Sequence, residues 1–150
     1  MSELRELYQS VILDHNKRPR NFGEVEGANR SADGFNPLCG DKITVTLDLE
    51  DDVVKNVAFD GAGCAISTAS ASLMTESIKG KTIDEALQLF EGFHELVTGN
   101  PKIEVDTSGL GKLTVFKGVR EFPVRVKCAT LAWHTMKSAL EGSGKIAKTE

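Results

Sequence analysis

Long apolar runs are missing from this 150-residue chain. Nothing in it approaches the roughly 18 uninterrupted apolar residues of a membrane span. The opening Met-Ser-Glu-Leu-Arg-Glu also lacks the apolar core of a secretory signal. These absences argue against a membrane protein and leave a cytoplasmic address as the expectation. Charge of one sign is scarce as well: 18 basic against 22 acidic residues give a formal net charge of −4. That excess is small and of the wrong sign for polyanions, so neither nucleic acid nor a membrane surface is an expected partner. Cysteines number three, which is odd for a disulfide framework and too few for a stapled scaffold, so metal ligation or thiol chemistry outranks cross-linking. Aromatics are few at 6%, beside 40% hydrophobic and 27% charged residues, which is the profile of an ordinary globular domain. Repeats, low-complexity tracts and linkers are absent too. One domain over residues 1–150 is expected, frayed at 1–2 and about 143–150, and monomeric because no long apolar seam is evident.

Periodicity supplies the elements. Leu4, Leu7, Val11 and Ile12 recur at helical spacing, predicting an amphipathic helix over 3–15 that Pro19 limits. From Ile43 the period changes to two: Ile43, Val45, Leu47 and Leu49 share one face, and Thr44, Thr46 and Asp48 the other. The acidic turn Glu50-Asp51-Asp52 then leads into Val53–Phe59, predicting an antiparallel hairpin. A helix rich in small residues is expected from Cys64 or Ala65, with Ile66, Ala69, Leu73 and Ser77 at spacings of three and four. Thr82 to Glu85 has the capping-box arrangement ahead of Ile83, Leu87, Phe90 and Val97, a helix that Gly99 and Pro101 close. Residues 102–111 read as loop, Leu113, Phe116 and Val119 as a short helix, and Pro123 as the start of a final helix carrying Cys128, Leu131, Thr135 and Met136. Helices segregated from a small antiparallel sheet make an α+β domain.

What the chain does have is three thiols at junctions between such elements. Cys39 precedes a strand, Cys64 closes the loop Gly61-Ala62-Gly63 at a helix start, and Cys128 lies in the first turns of the last helix. Helix N-termini favour anionic sulfur, and Gly40 and Gly63 permit the close approach a crowded site needs. Free cysteine is also among the most buried residue types, so spacing alone is equally compatible with three small hydrophobes. Asp41 tilts the balance: Cys39 and Asp41, separated by one glycine, can offer sulfur and oxygen to the same ion. With Cys64 and Cys128 they make four donors, the number tetrahedral zinc takes. The carboxylate is the unusual member, and a site with one odd ligand is easier to open. Three thiolates and a carboxylate around a dication call for nearby cations, which Arg125 and Lys127 could supply; each is equally readable as an ordinary solvated charge. His15, His94 and His134 do not adjoin a cysteine and read as surface or packed residues, as Trp133 and Phe122 read as core or interface aromatics. The basic segment His15–Arg20 reads as a solvated helix end, a docking edge or a nucleic-acid contact, the acidic total arguing against the last.

Four stretches, "DHNKRPRNFG", "NPLCGD", "FDGAGCAISTASASLM" and "FPVRVKCATLAW", in that order, resemble the U-type (NifU/IscU-like) iron–sulfur cluster assembly family over nearly the whole chain. Cluster scaffolds of that family carry a histidine immediately before the last cysteine, where this chain has Lys127, and a shorter segment between the second and third cysteines. Both departures match the SufU branch. The resemblance implies a SufE/IscU-like fold and a zinc ion held by Cys39, Asp41, Cys64 and Cys128. It also implies a pyridoxal-phosphate cysteine desulfurase of the SufS type as partner, and sulfur passed to a downstream iron–sulfur scaffold. In such proteins the cysteine of the C-G-D loop is the sulfur acceptor, freed when a desulfurase histidine takes its place on zinc. Carried over, Cys39 is the nucleophile. The alternative is a scaffold on which the same ligands hold an iron–sulfur cluster.

Overall fold

The computed structural model describes residues 2–37, 40–99, 110–121, 123–141 and 147–148. Helix α1 (Ser2–Lys17) is followed by strands β1 (Arg30–Asn36), β2 (Asp41–Glu50) and β3 (Val53–Ala62), then helices α2 (Ala65–Ile78) and α3 (Ile83–Thr98). A 3-10 helix (Gly111–Glu121), helix α4 (Pro123–Glu141) and a two-residue strand β4 (Ala147–Lys148) complete the order. The sheet runs β3-β2-β1-β4. The first three strands are antiparallel neighbours, and β4 joins β1 in parallel. The small antiparallel sheet with helices, in a single α+β domain, is the fold the sequence predicts. Within the tail expected to fray, Ala147 and Lys148 instead pair with Gly34 and Phe35.

The hairpin forms as its pattern dictates. Val45 faces Phe59 and Leu47 faces Val57 across the ladder, all four buried. The link is the two-residue turn Asp51-Asp52, both at positive φ (52° and 63°), the backbone of a primed hairpin turn. A register shift between Asp48 and Leu49 interrupts the alternation, leaving Leu49 half-buried rather than in the core face. The exposed edge of β3 is closed off by other parts of the chain: Gly80 and Lys81 bond to Val54, and Asn21 and Gly23 bond to Phe59.

Strand β1 is the element that periodicity does not predict. Its sequence, RSADGFN, has no β-branched residue, yet Ala32, Gly34 and Asn36 alternate inward. Gly34 faces α4 so closely that a methyl there would collide with Thr135 Oγ1 and lie 3.1 Å from Leu131 Cδ1. Helix α4 therefore packs directly on β1 and β2, with α2 between it and α1. Small side chains allow this: Ser70 of α2 donates its hydroxyl to Ala129 O of α4 at 2.5 Å. The small faces expected to pack on the sheet thus serve α1 and α4 as well as β3.

Helix α3 begins with the expected capping box, Thr82 and Glu85 each accepting the other's backbone N–H. Its terminal Gly99 is extended (φ −66°) and donates to Glu95 O; Pro101 and residues 102–109 lie outside the described residues. Leu113, Phe116 and Val119, all buried, recur every third position, the period of a 3-10 helix. Phe116 meets Phe93 edge-on at 5.5 Å, and Phe93 stacks on Trp133 at 4.8 Å, forming the aromatic centre of the core between α3, α4 and the 3-10 helix. Phe122 lies outside the described residues. Among the described residues no helix is long and apolar enough to cross a membrane.

Candidate metal centre

Three elements converge at one end of the sheet. Asp41 opens β2, Cys64 is the N-cap of α2, and Cys128 sits in the second turn of α4. One donor atom from each lies within 4.8 Å of the other two. Asp41 is 2% exposed and Cys128 1%, while Cys64 is partly accessible.

Each donor is held by its own backbone logic. Asp41 Oδ1 accepts the Cys64 backbone N–H at 3.0 Å, and Asp41 Oδ2 lies 3.8 Å from Cys64 Sγ. Cys64 takes the place of the usual capping serine or aspartate: its sulfur accepts the N–H of Ser67 at 3.4 Å. A sulfur in that position sits where backbone donors and the helix dipole favour negative charge. Asn36, the last residue of β1 and the ladder partner of Asp41, directs its side-chain amide at Cys128 Sγ, 3.9 Å away.

Cys39 lies outside the described residues. Gly40, which follows it in the sequence, is described: at φ +72° it donates its N–H to Asn36 O at 2.8 Å. That left-handed conformation favours glycine, so the turn leaving β1 enters β2 at Asp41 through a residue suited to it.

Two sulfurs and a carboxylate oxygen are the donor types that zinc accepts, and tetrahedral geometry with metal–sulfur bonds of about 2.3 Å separates its ligand atoms by about 3.8 Å. The observed spread of up to 4.8 Å needs to contract by about an ångström at most. The residues present therefore fit the ion. Cys39, two positions before Asp41, is the remaining donor that the sequence nominates.

Arg125 is exposed and Lys127 half-buried, both in the first turns of α4 ahead of Cys128. Among the described residues neither makes a salt bridge to Asp41. The histidines serve packing. His15 is 1% exposed, with Nδ1 2.7 Å from Ser72 Oγ and Nε2 3.6 Å from Glu76 Oε1, and it docks α1 on α2. His94 and His134 gather about Phe90, 5.8 Å apart between ring centres. Burial, aided by His94 and Lys137, pushes the His134 imidazole below its usual pKa. Arg20, in the segment expected to be solvated, pairs with Asp14 at 2.6 Å, and the Arg20 guanidinium holds the Asp14 carboxyl below its ordinary value.

Sequence reasoning singles out Asp41, Cys64 and Cys128, which the fold brings together, but it misses Asn36. The signal was a polar residue at an inward position of a strand, invisible without β1.

Residues 7–141 match the family model described as the NifU-like N-terminal domain. The chain is 42% identical over 145 residues to the iron–sulfur cluster assembly scaffold protein IscU of Streptococcus pyogenes serotype M1, covering 95% of this chain and 88% of the relative. It is 43% identical over 139 residues to the zinc-dependent sulfurtransferase SufU of Bacillus subtilis (strain 168), covering 93% and 92%. Among solved structures, the SUF-system protein FiSufU of Fervidobacterium islandicum AW-1 superposes with a TM-score of 0.81 at 38% identity, covering 87% of this chain and 93% of that one.

Proposed function

Since the chain belongs to the NifU-like N-terminal domain family of iron–sulfur cluster assembly proteins, we propose that it is a zinc-dependent sulfurtransferase. In this reading it takes persulfide sulfur from a pyridoxal-phosphate cysteine desulfurase of the SufS type, in the cytoplasm, and passes it to a downstream iron–sulfur scaffold. The supporting observation is the convergence of Asp41, Cys64 and Cys128 within 4.8 Å, with Cys39 two residues before Asp41. These four residues would hold zinc, which supplies sulfur ligands kept deprotonated at neutral pH.

The described donors are each held in place, which suits them to keeping the ion. Asp41 is fixed through Oδ1 to the backbone of Cys64, Cys64 is fixed as a helix cap, and Cys128 is buried inside α4. Cys39, the cysteine of the C-G-D stretch, is the acceptor in this reading. Its thiolate attacks the terminal sulfur of the desulfurase persulfide. A sulfur–sulfur bond forms at Cys39 as the desulfurase's own bond breaks, and the desulfurase cysteine leaves as thiolate. The terminal sulfur keeps its charge or proton, so no external oxidant or reductant is needed. Arg125 and Lys127 offset the negative charge of the cluster.

The identity to an IscU scaffold supports a second reading, in which the same donors hold an iron–sulfur cluster as cargo. Lys127 favours the first, because it supplies no imidazole ligand beside Cys128.

A desulfurase assay with cysteine as substrate, run with zinc-loaded and metal-free protein and accompanied by metal analysis, tests the proposal. Zinc-loaded protein should stimulate turnover and gain one sulfur on the peptide carrying Cys39. Cys39→Ala should abolish that acceptance and retain part of the metal. A stable coloured cluster after iron and sulfide reconstitution, transferred intact to an apo-protein with no stimulation of the desulfurase, would establish the scaffold reading instead.

A further inference from the structure

Asn36 is fully buried, a costly place for a primary amide unless its polar atoms are partnered. Its position joins three parts of the site. In the ladder it pairs with Asp41; its carbonyl accepts the Gly40 N–H at 2.8 Å; and its side-chain amide donates toward Cys128 Sγ at 3.9 Å, 92 positions further along the chain. The backbone contacts require only a residue with a carbonyl in strand geometry. The amide contact requires a donor of this length, aimed across from β1 into α4.

We propose that Asn36 is a positioning residue of the Asp41–Cys64–Cys128 cluster, its amide N–H fixing the orientation and electron density of the Cys128 sulfur. This rests on the metal-binding reading above. Groups behind the ligands of a metal orient them and tune their donor strength, and losing one typically lowers metal affinity about 10- to 100-fold. A hydrogen bond to sulfur draws electron density from its lone pairs, which lowers their energy. Cys64 receives such a bond from the backbone of Ser67, whereas Cys128, in the interior of a helix, receives one from the Asn36 side chain.

The test uses the full-length protein loaded with cobalt(II), whose sulfur-to-metal charge-transfer bands report sulfur electron density directly. Asn36→Leu keeps the approximate shape without the donor, and Asn36→Ala provides a second variant should the first fail to fold. Both should shift the charge-transfer band to lower energy and bind zinc about 10- to 100-fold more weakly than the parent in equilibrium competition with a chelator. A purely structural role predicts a different pattern: a lower melting temperature for the metal-free chain, with the cobalt spectrum of the loaded protein unchanged. That pattern overturns the proposal, as do parental spectra and zinc affinities in whichever variants fold. If the parent itself loads cobalt without sulfur charge-transfer bands, the metal-binding reading fails, and this inference falls with it; parental bands that the variants leave unmoved sink this inference alone.

Discussion

Asp41 divides its two oxygens between two tasks: Oδ1 accepts the Cys64 N–H, and Oδ2 faces the Cys64 sulfur. Substitutions should separate them. Asp41→Asn retains an acceptor for that N–H, so the metal-free protein should unfold in urea within about 1 kcal/mol of the parent, while metal affinity drops. Asp41→Ala leaves the part-buried Cys64 N–H without its acceptor and should cost about 1–3 kcal/mol in the same experiment. Gly34 presents the opposite constraint. A methyl group there meets Thr135 Oγ1 and Leu131, so Gly34→Ala should destabilise by about 1–3 kcal/mol, the usual cost of overpacking, read as a lower melting temperature. The candidate donors Asp41, Cys64 and Cys128 were legible in the sequence as residue types able to ligate a metal, with Asp41 two positions from Cys39 tipping the reading away from three buried hydrophobes. Gly34 and Asn36 were not, since their importance depends on what faces them across the fold.

Between elements, α3 and α4 meet through His94 and His134, with Phe90 between them and Lys137 alongside. The folded state holds the His134 pKa below the ordinary value of 6.5, chiefly by burial and then by His94 and Lys137. Below that value the unfolded chain binds more protons than the folded one, so stability is full above pH 6.5 and is lost as the pH falls through the folded pKa. Melting temperatures measured between pH 5 and 7.5 should show this decline, and His134→Phe should flatten it. The periodic elements were readable: the hairpin from its alternation, α3 from its capping box, and a short helix from Leu113, Phe116 and Val119, whose 3-10 character only the structure shows. Strand β1 escaped because Asp33, Gly34 and Asn36 have poor strand propensity, and because its pairing is imposed by β2 on one side and the approach of α4 on its inner face.

At the scale of the molecule, the aromatic centre around Phe93, Phe116 and Trp133 belongs to α3, α4 and the 3-10 helix, whereas the cluster is built by β2, α2 and α4. The aromatic centre contains none of the donors, so removing metal should lower the melting temperature without abolishing the fold. Far-ultraviolet circular dichroism of chelated protein should keep its helical signal, and re-added zinc should raise the midpoint with ligand concentration. Wholesale loss of helicity on chelation would contradict this. The meeting of the three elements is a long-range relation that spacing along the chain does not encode; the sequence reading reached it by counting donor residue types, and family resemblance then implied the same set. That same separation has a consequence for biosynthesis. Asn36 and Cys128 lie 92 positions apart, so a growing polypeptide exposes its early thiols well before α4 leaves the ribosome. Until then the earlier donors stand open to oxidants and to stray metal ions, and the centre can be completed only once α4 has emerged.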